Sequence, residues 1–354
     1  MKALVLAGGT GTRLRPLTYT IAKQLVPVAN KPVLYYVMQH LKDAGVKQVG
    51  VIISPETGSQ IREALLANSW GFEFTFLVQD KPAGLAHAVV TARDFLREEP
   101  FVMYLGDNLV GQGIREFVRL FDQSRADAVV LLKEVPNPRL FGVAQIDSAG
   151  RILKLIEKPK NPPSNLALVG VYVFSPKIHD AIKKIRPSHR GELEITDAIQ
   201  QLLESGGSVH GLVLQSWWLD CGKKDDLLEA NRVVLDELSL GNIKGQVDEI
   251  SRVSGRVSVG QNSCVRGSTI RGPAVVGEGS IIEESFIGPY TSIGSQCKIK
   301  QSEIEHAVVF DGAKIMGVSR LEDSVVGRNS IVEKQTAGHS ALRLLIGDDA
   351  QVFL

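Results

Sequence analysis

Residues 259–294 read VGQNSCVRGSTIRGPAVVGEGSIIEESFIGPYTSIG, and apolar residues return in this stretch at fixed intervals. Val259, Val265, Ile270, Val276, Ile282, Ile287 and Ile293 are separated by steps of 6, 5, 6, 6, 5 and 6. The ladder goes on through Ile299, Ile304 and Phe310, any three steps total 17, and it extends to Met316, Leu321, Val326 and Val332. A fixed short period marks a solenoid. Near-hexapeptide spacing predicts a parallel β-helix with three faces per coil, each apolar rung stacked on the next. Gly260, Gly277 and Gly294 each follow a rung, 17 residues apart, which predicts corners whose backbone angles need glycine. Ordinary hairpins would not hold one period of 17 over three consecutive intervals. Ala341–Leu354 leaves the pattern and is expected to cap the open end, as terminal solenoid units require.

Upstream, to about residue 240, the texture differs. Apolar runs at Lys2–Ala7, Gln48–Ile53, Phe72–Val78, Phe101–Leu105 and Ala128–Val135 read as strands. Between them Val33–Ala44, Ile61–Ala67, Leu85–Phe95 and Ile114–Ser124 carry apolar residues three and four apart, the helical period. The alternation predicts an α/β domain, a Rossmann-like, mostly parallel sheet with helices on both faces. Such sheets bind ligands outside the carboxyl ends of their strands. The expected division is residues 1–240 and 241–354.

Composition bounds the partners. With 354 residues the chain is too long for one ordinary core and suits two domains. A formal charge of +1 argues against a nucleic-acid partner, which is held by surplus Lys and Arg. The apolar start Ala3–Ala7 runs into glycines and Arg13, too short for a membrane span or a signal peptide. Cys221, Cys264 and Cys297 form no paired motif and read as reduced packing residues of a cytoplasmic protein.

The loop after the first strand is Leu6-Ala7-Gly8-Gly9-Thr10-Gly11-Thr12-Arg13-Leu14-Arg15-Pro16. It fits neither a P-loop nor the dinucleotide fingerprint, because no Lys-Ser/Thr pair follows and Arg13 stands where a third glycine would. Its physics is similar. Backbone N–H groups freed by Gly8, Gly9 and Gly11 can approach phosphate oxygens, and Arg13 adds a forked cation. Asp107 follows the Phe101–Leu105 run, and Asp220 ends the run Val209–Leu219 before a helical segment, Lys224–Leu238. Both aspartates therefore stand at strand carboxyl ends.

The string GGTGTRLRP at 8–16 and KQLVPVANKP at 23–32 resemble the sugar nucleotidylyltransferase family. So do Gln79–Ala86, Leu105–Asn108, Phe141–Val143, Glu157–Pro159, Arg190–Asp197 and Trp218–Gly222, in that order. The group most similar is the glucose-1-phosphate thymidylyltransferases in a long form with an appended left-handed β-helix. Cys221 departs from many short-form relatives, which have Thr there. The resemblance implies attack by a sugar 1-phosphate oxygen on the α-phosphorus of a nucleoside triphosphate, releasing pyrophosphate. The nucleophile is already anionic at neutral pH, so no general base is needed; the demand is charge neutralisation and alignment. Mg²⁺ held by Asp107 and Asp220 would supply the first.

By the same resemblance Leu6, Gly8, Gly9, Gly11, Thr12, Arg13 and Gln24 line the nucleotide, with Arg13 on the leaving pyrophosphate and Lys23 on the phosphates. Gln79 and the backbone of Gly84 read the base, the amide of Gln79 suiting both N3–H and O4 of thymine or uracil. Lys158 and Arg190 grip the sugar phosphate, while Asn108, Gly142, Glu157 and Leu168 contact the sugar. Two alternatives stand beside this reading. One is a uridylyltransferase with acetyl transfer in the β-helix, which would need a base such as His306, where a solvent-facing corner is the expectation. The other is an inactive sugar-nucleotide sensor, against which the retained Arg13, Asp107, Lys158 and Asp220 speak. The flat solenoid faces predict a homo-oligomer.

Overall fold

The computed structural model describes residues 1–237 and 241–334; the cap expected at 341–354 lies outside the described residues. The chain divides into two compact units. The first comprises Met1–Thr10, Ile21–Leu25 and Val33–Asp220; the second comprises Gly11–Thr20, Val26–Pro32 and Cys221–Leu354.

The first unit is built on a nine-stranded sheet. Lys2–Leu6 lies at its centre, parallel to both Phe101–Leu105 and Gln48–Ile53, and Glu73–Val78 adds in parallel at one edge. Alternation along the first strand divides two cores. Ala3 and Val5 pack with Val37, Leu41 and Phe117, whereas Leu4 and Leu6 pack with Ala88, Val89 and Ile199. Helices therefore cover both faces, as expected.

The sheet is mixed rather than mostly parallel. Leu166–Phe174, with all nine residues buried, runs antiparallel to Phe101–Leu105, Ala128–Glu134 and Gly142–Ile146. Gly142–Ile146 and Ile152–Glu157 close a hairpin through Asp147, whose carboxylate accepts from the backbone N–H of Ala149 and Arg151. An apolar run buried on both faces looks the same whichever way its neighbours run, which is why direction was not legible. The run Val209–Leu219 also breaks in two: Val209–Val213 joins the main sheet, while Trp218–Asp220 pairs elsewhere. The expected Leu85–Phe95 helix is interrupted at Ala92, between Leu85–Thr91 and Arg93–Leu96.

In the second unit three-residue strands stack in parallel, coil on coil. One column of inward residues is Val247, Val265, Ile282, Ile299, Ile315 and Val332. The others are Val253, Ile270, Ile287, Ile304 and Leu321, and Val259, Val276, Ile293, Val309 and Val326. The stacking is that of a parallel β-helix. Two expected rungs are displaced: Val309 replaces Phe310 under Ile293, and Ile315 replaces Met316 under Ile299. The corner between Ile304 and Val309 is one residue shorter than that between Ile287 and Ile293, so this coil has 16 residues rather than 17. Positive-φ corner residues record the same shortening, Tyr290 being followed by His306 and then Asp323.

Gly260, Gly277 and Gly294 stand at corners for a different reason than expected. None has a positive φ. A Cβ on Gly260 would lie 2.6 Å from the Gly277 carbonyl carbon, and one on Gly277 would lie 2.5 Å from that of Gly294. They permit coils to touch backbone to backbone. Inside the coils serine hydroxyls satisfy the turns: Ser251, Ser268, Ser285 and Ser302 each accept from a backbone N–H of the next coil. Ser263 and Ser280 repeat the device, and buried Cys297 takes the same place one coil on. Among the described residues no helix is long and apolar enough to cross a membrane.

Candidate active site

Asp107 lies two residues beyond the carboxyl end of Phe101–Leu105, where Gly106 N–H donates to the Leu6 carbonyl at 2.9 Å. The chain then forms a two-stranded antiparallel ladder, Asn108–Val110 against Trp218–Asp220, which sets Asp220 opposite Asn108. This ladder, separate from the main sheet, brings the two aspartates to one place. Buried Lys23, from the short 3₁₀ turn Lys23–Leu25, points its ammonium between them, 2.5 Å from Asp107 Oδ2 and 3.4 Å from Asp220 Oδ1. Asn108 is 3% exposed, and its amide donates to Asp107 Oδ1 at 2.9 Å while accepting from Trp218 Nε1 at 2.7 Å. Burial pushes the Asp107 carboxyl up, but the Lys23 ammonium and the Asn108 amide outweigh it and hold the group below its ordinary value. Asp107 is thus an anion in a partly buried, cation-facing position.

Of the residues expected to line the nucleotide, Gly8 lies against the Ile53–Ser54 backbone and Gly9 against the Gln24 amide, with Leu6 and Gly106 adjoining. Gln24 is 1% exposed, and its Oε1 has no hydrogen-bond partner among the described residues. A buried acceptor in that state is unusual in a native fold. Gln79 follows Glu73–Val78, its amide Nε2 3.3 Å from the Gly84 carbonyl and 2.9 Å from His87 Nδ1. Gly84 takes φ +101 at the start of the Leu85–Thr91 helix, and any Cβ there would collide with the Leu193 backbone.

The residues expected around the sugar and its phosphate converge in the same unit. Glu157 ends the hairpin strand paired to Gly142, and Thr196 Oγ1 donates to its Oε2 at 2.7 Å. A Cβ on Gly142 would meet the Leu168 side chain and Thr196 Oγ1 at 2.7 and 2.8 Å. Lys158 and Arg190 approach Glu157 Oε1 at 3.8 and 3.6 Å. Arg190 is also gripped by Glu194, through Nε at 3.1 Å and Nη2 at 2.8 Å, and faces Glu192 at 3.2 Å. Burial would lower the guanidinium, but Glu194, Glu192 and Glu157 hold it above its ordinary value. Burial, with Glu194 and Glu157, pushes Asp197 up.

Sequence reasoning missed Trp218, Glu194, Thr196 and His87 as supports. The first three lie inside motifs whose neighbours were assigned roles; His87 carried no signal beyond being a lone histidine. Gly11, Thr12 and Arg13 belong to the second unit. Gly11 has φ +65 and precedes the 3₁₀ turn Thr12–Leu14, with Thr18 Oγ1 donating to its carbonyl at 2.8 Å. The Arg13 guanidinium rests on Gly222, where a Cβ would approach Nη2 to 3.0 Å.

Residues 2–237 match the nucleotidyl transferase family. The chain belongs to that family. Residues 270–352 match the GMPPB C-terminal domain. A nucleotidyl transferase domain thus spans the sheet and both aspartates. Among curated relatives, glucose-1-phosphate thymidylyltransferases of Streptomyces antibioticus and Streptomyces griseus are each 48% identical, over 99% of this chain and 99% of theirs. A crystal structure of a Bacillus anthracis chain assigned the same activity superposes with a TM-score of 0.62 at 36% identity, covering 68% of this chain and 98% of that one.

Proposed function

We propose that the protein transfers the thymidylyl group of dTTP to α-D-glucose 1-phosphate, forming dTDP-glucose and diphosphate. The convergence of Lys23, Asp107 and Asp220 at the strand carboxyl ends carries this reading, and the full-length Streptomyces relatives support the choice of substrates. A phosphate oxygen of the sugar attacks the α-phosphorus. The bond from that phosphorus to the bridging oxygen of the β-phosphate breaks, and the electron pair leaves on diphosphate. No proton moves.

Asp107 and Asp220, whose carboxylates both reach the Lys23 ammonium, supply the oxygen donors that a hard divalent cation takes, and two such ligands would leave positions for phosphate oxygens. Mg²⁺ held there would neutralise phosphate charge as attack proceeds. Lys23 lies against both carboxylates and adds positive charge beside the phosphates. Arg13 takes the leaving diphosphate; Lys158 and Arg190 hold the incoming phosphate, with Glu157, Gly142, Leu168 and Asn108 toward the sugar. The orphaned Gln24 Oε1 is an acceptor, suited to the deoxyribose 3′-hydroxyl rather than to phosphate.

The match over 2–237 supports a catalytic domain ending near residue 240. The β-helix, taken as left-handed, is an assembly module through which the chain forms homo-oligomers, and cysteines that form no disulfide among the described residues suit a cytoplasmic setting. Diphosphate release across a panel of five nucleotides and several sugar 1-phosphates tests the activity, and light scattering tests the assembly. Preference for dTTP with glucose 1-phosphate is expected. Absence of turnover with every pair would leave an inactive sensor, and a monomer in solution would remove the assembly role.

A further inference from the structure

The orientation of the Gln79 side chain is decided by two neighbours on one helix turn. Nε2 lies 3.3 Å from the Gly84 carbonyl and 2.9 Å from His87 Nδ1. A carbonyl only accepts, so the amide atom facing it is the NH₂ group. An NH₂ only donates, so His87 Nδ1 is the acceptor and the ring proton sits on Nε2. Both amide hydrogens then have partners inside the chain. Oε1 alone is left to meet a ligand.

The frame that imposes this is rigid. Gly84 begins the Leu85–Thr91 helix, and Ala86 N–H donates to the Leu193 carbonyl at 3.0 Å while Leu193 N–H donates to the Ala83 carbonyl at 2.8 Å. Gly84 and His87 thus stand three residues apart on a pinned helix start and pinch the amide between them. An exposed glutamine would instead present either end of its amide, since the two orientations differ only by a rotation.

We propose that His87 is a specificity-determining positioning residue: through Nδ1 it holds the Gln79 amide so that Oε1, an acceptor, faces the base. An acceptor matches the N3–H of thymine or uracil. Cytosine presents an unprotonated N3, a second acceptor, and is refused. With the amide reversed, the NH₂ would face the base and cytosine would be accepted. A site built around one hydrogen bond rejects the wrong partner because a buried polar group is left unpaired. The inference rests on the reading that Gln79 meets the base.

Steady-state kinetics of the full chain with dTTP and dCTP test it, using His87→Leu, His87→Asn and Gln79→Ala. In His87→Leu the ratio of kcat/KM for dTTP over dCTP falls about tenfold, through the KM for nucleotide, with the KM for glucose 1-phosphate unchanged. His87→Asn carries a carbonyl oxygen near the place of Nδ1 and restores most of the ratio. Equal loss in both His87 variants would show a packing role and overturn the proposal. Undiminished selection in His87→Leu, with selection lost in Gln79→Ala, would overturn it while leaving the Gln79 reading intact. Selection kept in Gln79→Ala would remove that reading and the proposal together.

Discussion

Lys23 meets Asp107 in the first unit and His306 meets Asp323 in the second, each setting a carboxylate 2.5 Å from a basic nitrogen. They differ in how the partners meet. His306 and Asp323 occupy equivalent corners of successive coils, both with positive φ, and the Asp323 side chain is 68% exposed. A solenoid of period 17 places every residue beside the one 17 positions on, so this proximity follows from the repeat and needs no function. Lys23, Asp107 and Asp220 come from a 3₁₀ turn, a strand end and a separate two-stranded ladder, far apart in sequence. Convergence from unrelated elements, with burial and a supporting amide, is not generated by any repeat. It is the arrangement on which the proposed reaction centre rests.

The largest effects expected are at that centre. Asp107→Asn and Asp220→Asn each lower turnover by about 10²–10³, the usual cost of one preorganised charge contact, while thermal unfolding stays cooperative. Near-normal turnover at limiting Mg²⁺ would break the assignment. Next come the two cations proposed to address different anions. Lys158→Ala raises the KM for glucose 1-phosphate and Arg13→Ala raises that for dTTP, each by roughly tenfold or more, as loss of a charge-assisted contact implies. Equal effects on both substrates in both variants would erase the division.

The β-helix is expected to answer in stability rather than turnover. Ile299 is fully buried in its central column, so Ile299→Ala costs about 2–5 kcal/mol in denaturant unfolding while kcat at 25 °C stays near wild type. A fall in kcat without loss of stability would show that this unit acts on the chemistry. The smallest effect is at the other pair. His306→Ala is expected to shift stability by less than about 1 kcal/mol, because a contact to a largely exposed carboxylate contributes little, and neither the variant nor the wild type is expected to consume acetyl-CoA. Acetyl transfer abolished by that substitution would reinstate a second active site.

Much of this contrast was readable from the sequence, for physical reasons that also mark where reading stopped. The apolar ladder identified the β-helix because one inward residue per face is a strong periodic signal. It slipped at Phe310 because Val308, Val309 and Phe310 are consecutive apolar residues, and only the shortened corner at His306 decides that Val309 points inward. The serine columns at 251, 268, 285 and 302 share the period and were legible too, but polar residues were not counted as rungs. In the first unit, Asp107 was legible through the motif resemblance taken together with its place after an apolar strand. The partnership of Asp220 with Asn108 was not, because a pairing with a distant strand leaves no local signal, although polar Gln215 and Ser216 mark the break that frees Trp218–Asp220 from the main sheet. His87 had no sequence signal, since its meaning lies in which atom of Gln79 it meets.

The most direct test follows the phosphorus. ³¹P spectra of the full chain with dTTP, α-D-glucose 1-phosphate and Mg²⁺ should show the sugar-phosphate signal replaced by a sugar-diphosphate pair as diphosphate accumulates. The same mixture with Asp107→Asn should convert at least about 100-fold more slowly. Conversion at equal rates by both proteins, or none by the wild type, would contradict the account.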